Sequence, residues 1–206
     1  MSELTALSAK ALACMRGQRL VFRDLGFAIS GGHALAVEGP NGAGKTSLLR
    51  LIAGFLAPAA GTIRLRTKSG EIEDGEERGK FIGWLGHSDG VKPQLSVFEN
   101  LKFFAELYGA QTPIDMALEE VGLARLRDLP GQYLSAGQKK RLALARLKLS
   151  ARPLWLMDEP LASLDAGGKK LAAKLVTAHC ASGGIVIAAT HEPLGIECEK
   201  LLLGAA

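Results

Sequence analysis

Apolar and polar residues alternate along this chain with two different periods, and the switches between them mark out the elements. Strands are predicted at 19–29 (RLVFRDLGFAI), 33–39 (HALAVEG), 61–67 (GTIRLRT), 80–86 (KFIGWLG), 153–159 (PLWLMDE), 184–190 (GIVIAAT) and 199–204 (EKLLLG). The last few are short, continuous and aliphatic, as expected of strands covered on both faces of a parallel sheet. The earlier ones alternate more and read as antiparallel. Helical periodicity predicts helices over 45–55, 96–109, 113–121, 135–150 and 166–182. Ser96 and Glu99 form a capping box for the second, and Thr112-Pro113 gives the third an N-cap and a first-turn proline. Between the strands at 80–86 and 153–159 lie about seventy residues of mostly helical pattern, too many for a simple crossover. The expectation is one domain over 1–206 with a helical subdomain at about 88–150 inserted into an α/β core. The acidic run EIEDGEERG (71–79) reads as a solvated hairpin or loop.

Composition narrows the picture only slightly. With 206 residues, 48% hydrophobic and 22% charged, the chain suits an ordinary globular domain. Its longest apolar runs fall well short of the roughly 20 residues that span a bilayer. The N-terminus carries acidic and polar breaks and no signal-peptide core. Cys14, Cys180 and Cys198 form an odd, scattered set without a CxxC pair, which points to a reducing compartment and to neither disulfides nor zinc. A net charge of +4 permits contact with nucleic acid or an anionic membrane without requiring either.

The chemistry concentrates at strand ends. Gly39-Pro40-Asn41-Gly42-Ala43-Gly44-Lys45-Thr46-Ser47 follows a strand and opens a helix, fitting G-x-x-x-x-G-K-[ST]. Such a loop wraps backbone N–H groups around a β-phosphate, Lys45 brings a mobile positive charge to the β- and γ-oxygens, and the Thr46 hydroxyl suits Mg²⁺. At the end of LWLMDEP, Asp158 is placed for the Mg²⁺ shell and Glu159 for polarising a water that attacks the γ-phosphate. His191, after another aliphatic strand, is placed to contact the γ-phosphate. His33 and His179 read as structural.

A second anion-suited helix start lies about ninety residues further on. In LSAGQKKR, Ser135 and Gln138 form a capping box, and the small residues through Gly137 leave the helix N-terminus open to an anion. One nucleotide has no use for two such starts on one chain. If two copies meet head to tail, Ser135 and the Gly137 N–H of one can close over the γ-phosphate held by residues 39–46 of the other. ATP then becomes part of the interface, and hydrolysis releases it.

These segments, with Ser163-Leu164-Asp165, occur in an order that resembles the ATP-binding cassette (ABC) ATPases over nearly the whole chain. The resemblance implies a RecA-like α/β core with an antiparallel β-subdomain and an inserted α-helical subdomain. It also implies ATP and Mg²⁺ as ligands, an ATP-bound homodimer, and a membrane partner. Three positions depart from the family pattern. His87 stands where a Gln is usual; imidazole can still reach a metal-bound water, with a charge that depends on pH. Arg16 stands in place of the adenine-stacking aromatic; a guanidinium can stack on a purine, with looser base preference. Ala136 replaces the commoner Gly.

Within the family, WLGHSDGVKPQLSVFENLKFF, QYLSAGQKKRLALARL and GGIVIAATHEPLG resemble the cytochrome c maturation ATPases, described as haem exporters. That resemblance implies integral membrane subunits of a cytochrome c maturation complex, a place on the cytoplasmic face of the inner membrane, and no nucleic-acid partner. Export of another small molecule is the alternative. A soluble nucleic-acid ATPase is disfavoured by a single cassette without a coiled-coil insertion. A kinase or GTPase is disfavoured by the missing N-K-x-D motif.

Overall fold

A computed structural model describes residues 4–204. Four strands, β1 (Leu4–Arg16), β2 (Arg19–Ser30), β4 (Ala60–Thr67) and β5 (Gly70–Ile72), form an antiparallel sheet in the order β2-β1-β4-β5. Five others, β3 (Ala34–Glu38), β6 (Ile82–Leu85), β7 (Leu154–Asp158), β8 (Ile185–Ala189) and β9 (Glu199–Leu202), form a parallel sheet in the order β6-β7-β8-β3-β9. The antiparallel reading of the early strands holds for β2 and β4. It fails for β3 and β6, which join the parallel sheet.

The parallel strands are apolar throughout because each faces two cores. Leu35, Val37, Leu154, Leu156, Ile185 and Ile187 pack on α1 (Lys45–Ile52) and the antiparallel sheet. Their alternates Ala34, Ala36, Trp155, Met157, Val186 and Ala188 pack into the helical layer. Strand alternation thus divides one sheet between two cores, and both faces must be apolar.

Between β6 and β7 the chain forms α3 (Val97–Tyr108), α4 (Ile114–Glu120) and α5 (Ala136–Leu149), and after β7 comes α6 (Ala166–Ala181). The capping box of α3 is made by Ser96 and Glu99, as predicted. The first helix is shorter than predicted, ending at Ile52 rather than 55.

Two elements were not anticipated. The first is β1, whose alternation is interrupted at Ala11, a residue with φ 49 at a shift in pairing register between Ala9 and Leu12. Such a bulge swaps the faces mid-strand and erases a clean period of two. The second lies in the acidic run, which is neither hairpin nor loop throughout: it ends β5 and then forms α2 (Gly75–Gly79), capped by Asp74 onto the Glu77 N–H. Its carboxylates pair with nearby cations, Glu71 with Arg66 at 2.8 Å and Glu73 with Arg64 at 2.6 Å.

Candidate nucleotide-binding site

Parallel order sets the site. The C-terminal ends of β6, β7, β8 and β3 lie along one edge of the sheet, where open α/β folds gather ligands. They deliver His87, Asp158 with Glu159, His191, and the loop from Gly39 respectively. A cavity of about 810 Å³ opens there, lined by Asn41, Gly42 and Gly44–Ser47 together with His87, Asp158, Glu159, His191 and Arg16.

Helix α1 begins with Gly44 in the left-handed conformation (φ 100) and no side-chain cap. Its first N–H groups are therefore left for a ligand rather than consumed by a neighbouring side chain. Lys45 is 8% exposed, and its ammonium donates to the carbonyl oxygens of Gly39 (2.8 Å) and Pro40 (3.2 Å). It also meets His191 Nε2 at 3.0 Å. An ammonium can only donate, so in this contact Nε2 is the acceptor. Glu159 Oε1 lies 3.5 Å from the same nitrogen, and with Nε2 accepting from Lys45 the two acceptors make no hydrogen bond. The Thr46 hydroxyl lies 3.1 and 3.0 Å from the two oxygens of Asp158, itself 5% exposed.

Glu159 has φ 48, the left-handed region, while its N–H is fixed to the Ala189 carbonyl at 2.9 Å. Side chains rarely tolerate this backbone, and such strain persists where surrounding structure enforces it, often at functional positions. Of the sequence-predicted phosphate-loop residues, Gly39 and Pro40 contribute carbonyls to Lys45, and Ala43 is buried beneath the loop at 2% exposure.

Ser135, Gly137 and Gln138 do not join this cavity within the chain. The capping box is present: Ser135 Oγ accepts from the Gln138 N–H at 3.2 Å, and Gln138 Oε1 accepts from the Ser135 N–H at 2.8 Å. Ser135 and Ala136 are exposed. Gly137 sits against the Ser163 carbonyl, where a Cβ would come within 2.8 Å of the oxygen. Asp165 caps α6 through the Gly168 N–H (2.7 Å) and pairs with Arg141 of α5 (2.7 Å). The Gly168 bond first, and the Arg141 guanidinium second, hold the Asp165 carboxyl below the usual carboxylate range. The signature helix is thereby fixed to the loop that follows Glu159.

Several cavity-lining residues escaped the sequence reading, among them Arg19, Arg50, Trp84 and Ser88. Arg19 had a visible signal: it faces Arg16 across a two-residue turn.

Comparison with known proteins agrees with this geometry. Residues 22–162 match the family model described as ABC transporter. The chain is 51% identical over 201 residues to the cytochrome c biogenesis ATP-binding export protein CcmA of Rhodopseudomonas palustris (strain BisB5), covering 97% of this chain and 98% of that one. It is 49% identical to the protein of the same name from Nitrobacter winogradskyi, with the same coverage. A solved chain from Pyrococcus furiosus, assigned as an ABC transporter ATP-binding protein, superposes with a TM-score of 0.82 at 28% identity, covering 97% of this chain and 98% of that one. Its strand-edge cavity, its element order and these relatives together place the chain in the ABC transporter family, among its ATP-binding proteins.

Proposed function

We propose that this chain hydrolyses ATP as the nucleotide-binding subunit of an ABC-type membrane complex serving c-type cytochrome biogenesis. The observation that carries the catalytic reading is the convergence of Lys45, Thr46, Asp158, Glu159 and His191 on one cavity. The biological role follows its relatives, named for cytochrome c biogenesis and ATP-binding export at about half identity over nearly full length.

The triphosphate lies along residues 39–47, accepting from backbone N–H groups of the loop, which Pro40 lacks. Lys45 exchanges its bonds to the Gly39 and Pro40 carbonyls and His191 for bonds to the β- and γ-oxygens. Glu159 takes a proton from water as the water oxygen bonds to the γ-phosphorus, and ADP leaves with inorganic phosphate as the second product. His191, freed from Lys45, contacts the γ-phosphate, and His87 reaches the attacking water. Thr46 and Asp158 present the hard oxygen donors that Mg²⁺ prefers and would hold it. A divalent cation held by these two residues would supply charge neutralisation on the triphosphate.

Ser135 and the Gly137 N–H of a second copy complete the γ-phosphate cradle in an ATP-bound homodimer. The helical subdomain at about 88–150 carries this signature and passes the motion to integral membrane subunits of a cytochrome c maturation complex, on the cytoplasmic face of the inner membrane, without nucleic acid. Among the described residues no helix is long and apolar enough to cross a membrane.

The test is deletion followed by a haem stain for c-type cytochromes. Wild type should rescue the stain, and Glu159→Gln should not, with ATP turnover lowered at least about 10²-fold. Near-normal hydrolysis by Glu159→Gln would remove it as the base, and a normal stain in the deletion would remove the biological role.

A further inference from the structure

Three arginines line the nucleotide cavity, and the hydrolytic steps proposed above use none of them. Arg16 and Arg19 are directly opposed at the tip of the β1–β2 hairpin, and Arg50 comes from the last turn of α1. Opposed residues in an antiparallel pair project to the same face, and like charges there repel. Among the described residues no carboxylate pairs with any of the three. The acids of the cavity, Asp158 and Glu159, belong to the strand edge that takes the phosphates. A repulsive pair with no local compensation is suited to a ligand rich in acceptors.

With the triphosphate on residues 39–47, the hairpin tip is the wall of this cavity that offers paired, uncompensated donors to a base; the segment Trp84–Ser88 lines the cavity as well. Guanidinium groups offer donors only, in a fork that matches two adjacent acceptors. Guanine presents such a pair, O6 and N7. Adenine presents N7 beside an amino group, which is a donor and meets the fork unfavourably.

We propose that this cavity accepts 6-oxopurine nucleoside triphosphates, GTP and ITP, at least as readily as ATP, with Arg16 and Arg19 reading the O6/N7 edge. This rests on the nucleotide-site reading above. It differs from recognition by an N-K-x-D motif, whose carboxylate reads the N1 and N2 donors of guanine. The 2-amino group is not used here, so ITP follows GTP.

The experiment is calorimetric titration of the full chain with ATP, GTP, ITP, 7-deaza-GTP and tripolyphosphate, each with Mg²⁺. GTP and ITP should bind as tightly as ATP or up to about fivefold tighter, and 7-deaza-GTP should be weaker than GTP. The double variant Arg16→Gln/Arg19→Gln offers a donor and an acceptor, which suits adenine, and should shift the GTP-to-ATP ratio about tenfold toward ATP. Circular dichroism checks that the exposed hairpin tip still folds. GTP binding weaker than ATP by about twofold or more would overturn the proposal. So would an equal loss of all ligands, tripolyphosphate included, in the double variant, because the arginines would then be phosphate contacts. Loss of every nucleotide in Lys45→Ala confirms that the titrated site is this cavity. Failure of wild type to bind any nucleotide would instead sink the hydrolytic reading and this inference with it.

Discussion

His179 shows how desolvation can dominate the behaviour of one residue. It sits in α6 with its ring stacked on Trp155, centroids 3.9 Å apart and planes 11° off parallel, and its Nε2 meets the Pro153 carbonyl at 3.1 Å. Desolvation lowers its pKa from 6.5 to about 4, with the bonds to Pro153 and Ile185 opposing. The unfolded chain therefore binds a proton that the folded chain refuses between those values. The contribution to stability is fully present above about pH 6.5 and is lost as pH falls toward 4. Two and a half units correspond to about 3 kcal/mol in all, and to about 2 kcal/mol between pH 7 and pH 5. His179→Phe keeps a ring on Trp155 and removes the titration. Denaturant unfolding at the two pH values should show wild type losing about 2 kcal/mol more than the variant; parallel losses would assign the acid sensitivity to other groups. Nothing in the neighbouring letters marks His179 as half-buried against Trp155. Its structural role was legible only because it lies inside a helix, away from any strand end.

Helix α5 is the element on which both the core and the proposed motor depend. Its N-terminus carries the capping box, its Gly137 touches the Ser163 carbonyl, and its Arg141 holds Asp165. One turn in, Lys140 is buried and its ammonium lies 2.8 Å from Asp89, in the segment that begins with His87. That carboxylate oxygen makes no hydrogen bond, so the contact is an ion pair in a poorly solvated setting. Arg146, further along, stacks over Phe104 at 4.7 Å and reaches toward the Gly90 carbonyl. The loop from the phosphate cavity is thus tied to the helix that bears the signature. Removing one partner of such a pair leaves an uncompensated charge, whereas removing both can be nearly neutral. Lys140→Met should cost about 3 kcal/mol, and adding Asp89→Asn should recover most of it, in a double-mutant cycle read by denaturation. Additive losses would show that the two side chains act independently. The basic, amphipathic run from Gln138 announced the helix in the sequence. It could not announce Asp89, nearly fifty residues upstream, because spacing along a chain carries no distance across a fold. For the same reason β1 was missed while the aliphatic β7 and β8 were not. Their apolar runs are fixed by two covering layers, whereas the bulge at Ala11 hides the period of β1.

At the scale of the whole molecule, the phosphate loop and the signature face different surroundings. The first lines the 810 Å³ cavity; the second sits outside it with Ser135 exposed. A chain that works alone would leave the signature without a γ-phosphate, so the proposed shared site makes a prediction no single-chain mechanism shares. In a two-fold dimer each contact occurs twice, so each cradle takes its loop from one copy and its signature from the other. Lys45→Ala destroys the loop of its own copy, and Ser135→Arg crowds the signature of its own copy. Each variant alone should be inactive, because both cradles of its homodimer are damaged. Mixed in equal amounts, half of the dimers pair one of each. In those dimers one cradle collects both lesions while the other is intact, so about a quarter of wild-type hydrolysis should return if the two cradles act independently. If the signature served its own chain, every cradle in the mixture would carry one lesion and no activity would reappear. Hydrolysis measured against mixing ratio, with a maximum near equal amounts, separates these cases. A flat line at zero, with both variants still folded and Ser135→Arg still binding ATP, would show that Ser135 does not complete a neighbour's site, or that the two cradles cannot fire separately. A trapped dimer of Glu159→Gln, seen by size-exclusion chromatography with light scattering, decides between those two, since only the second allows it to form.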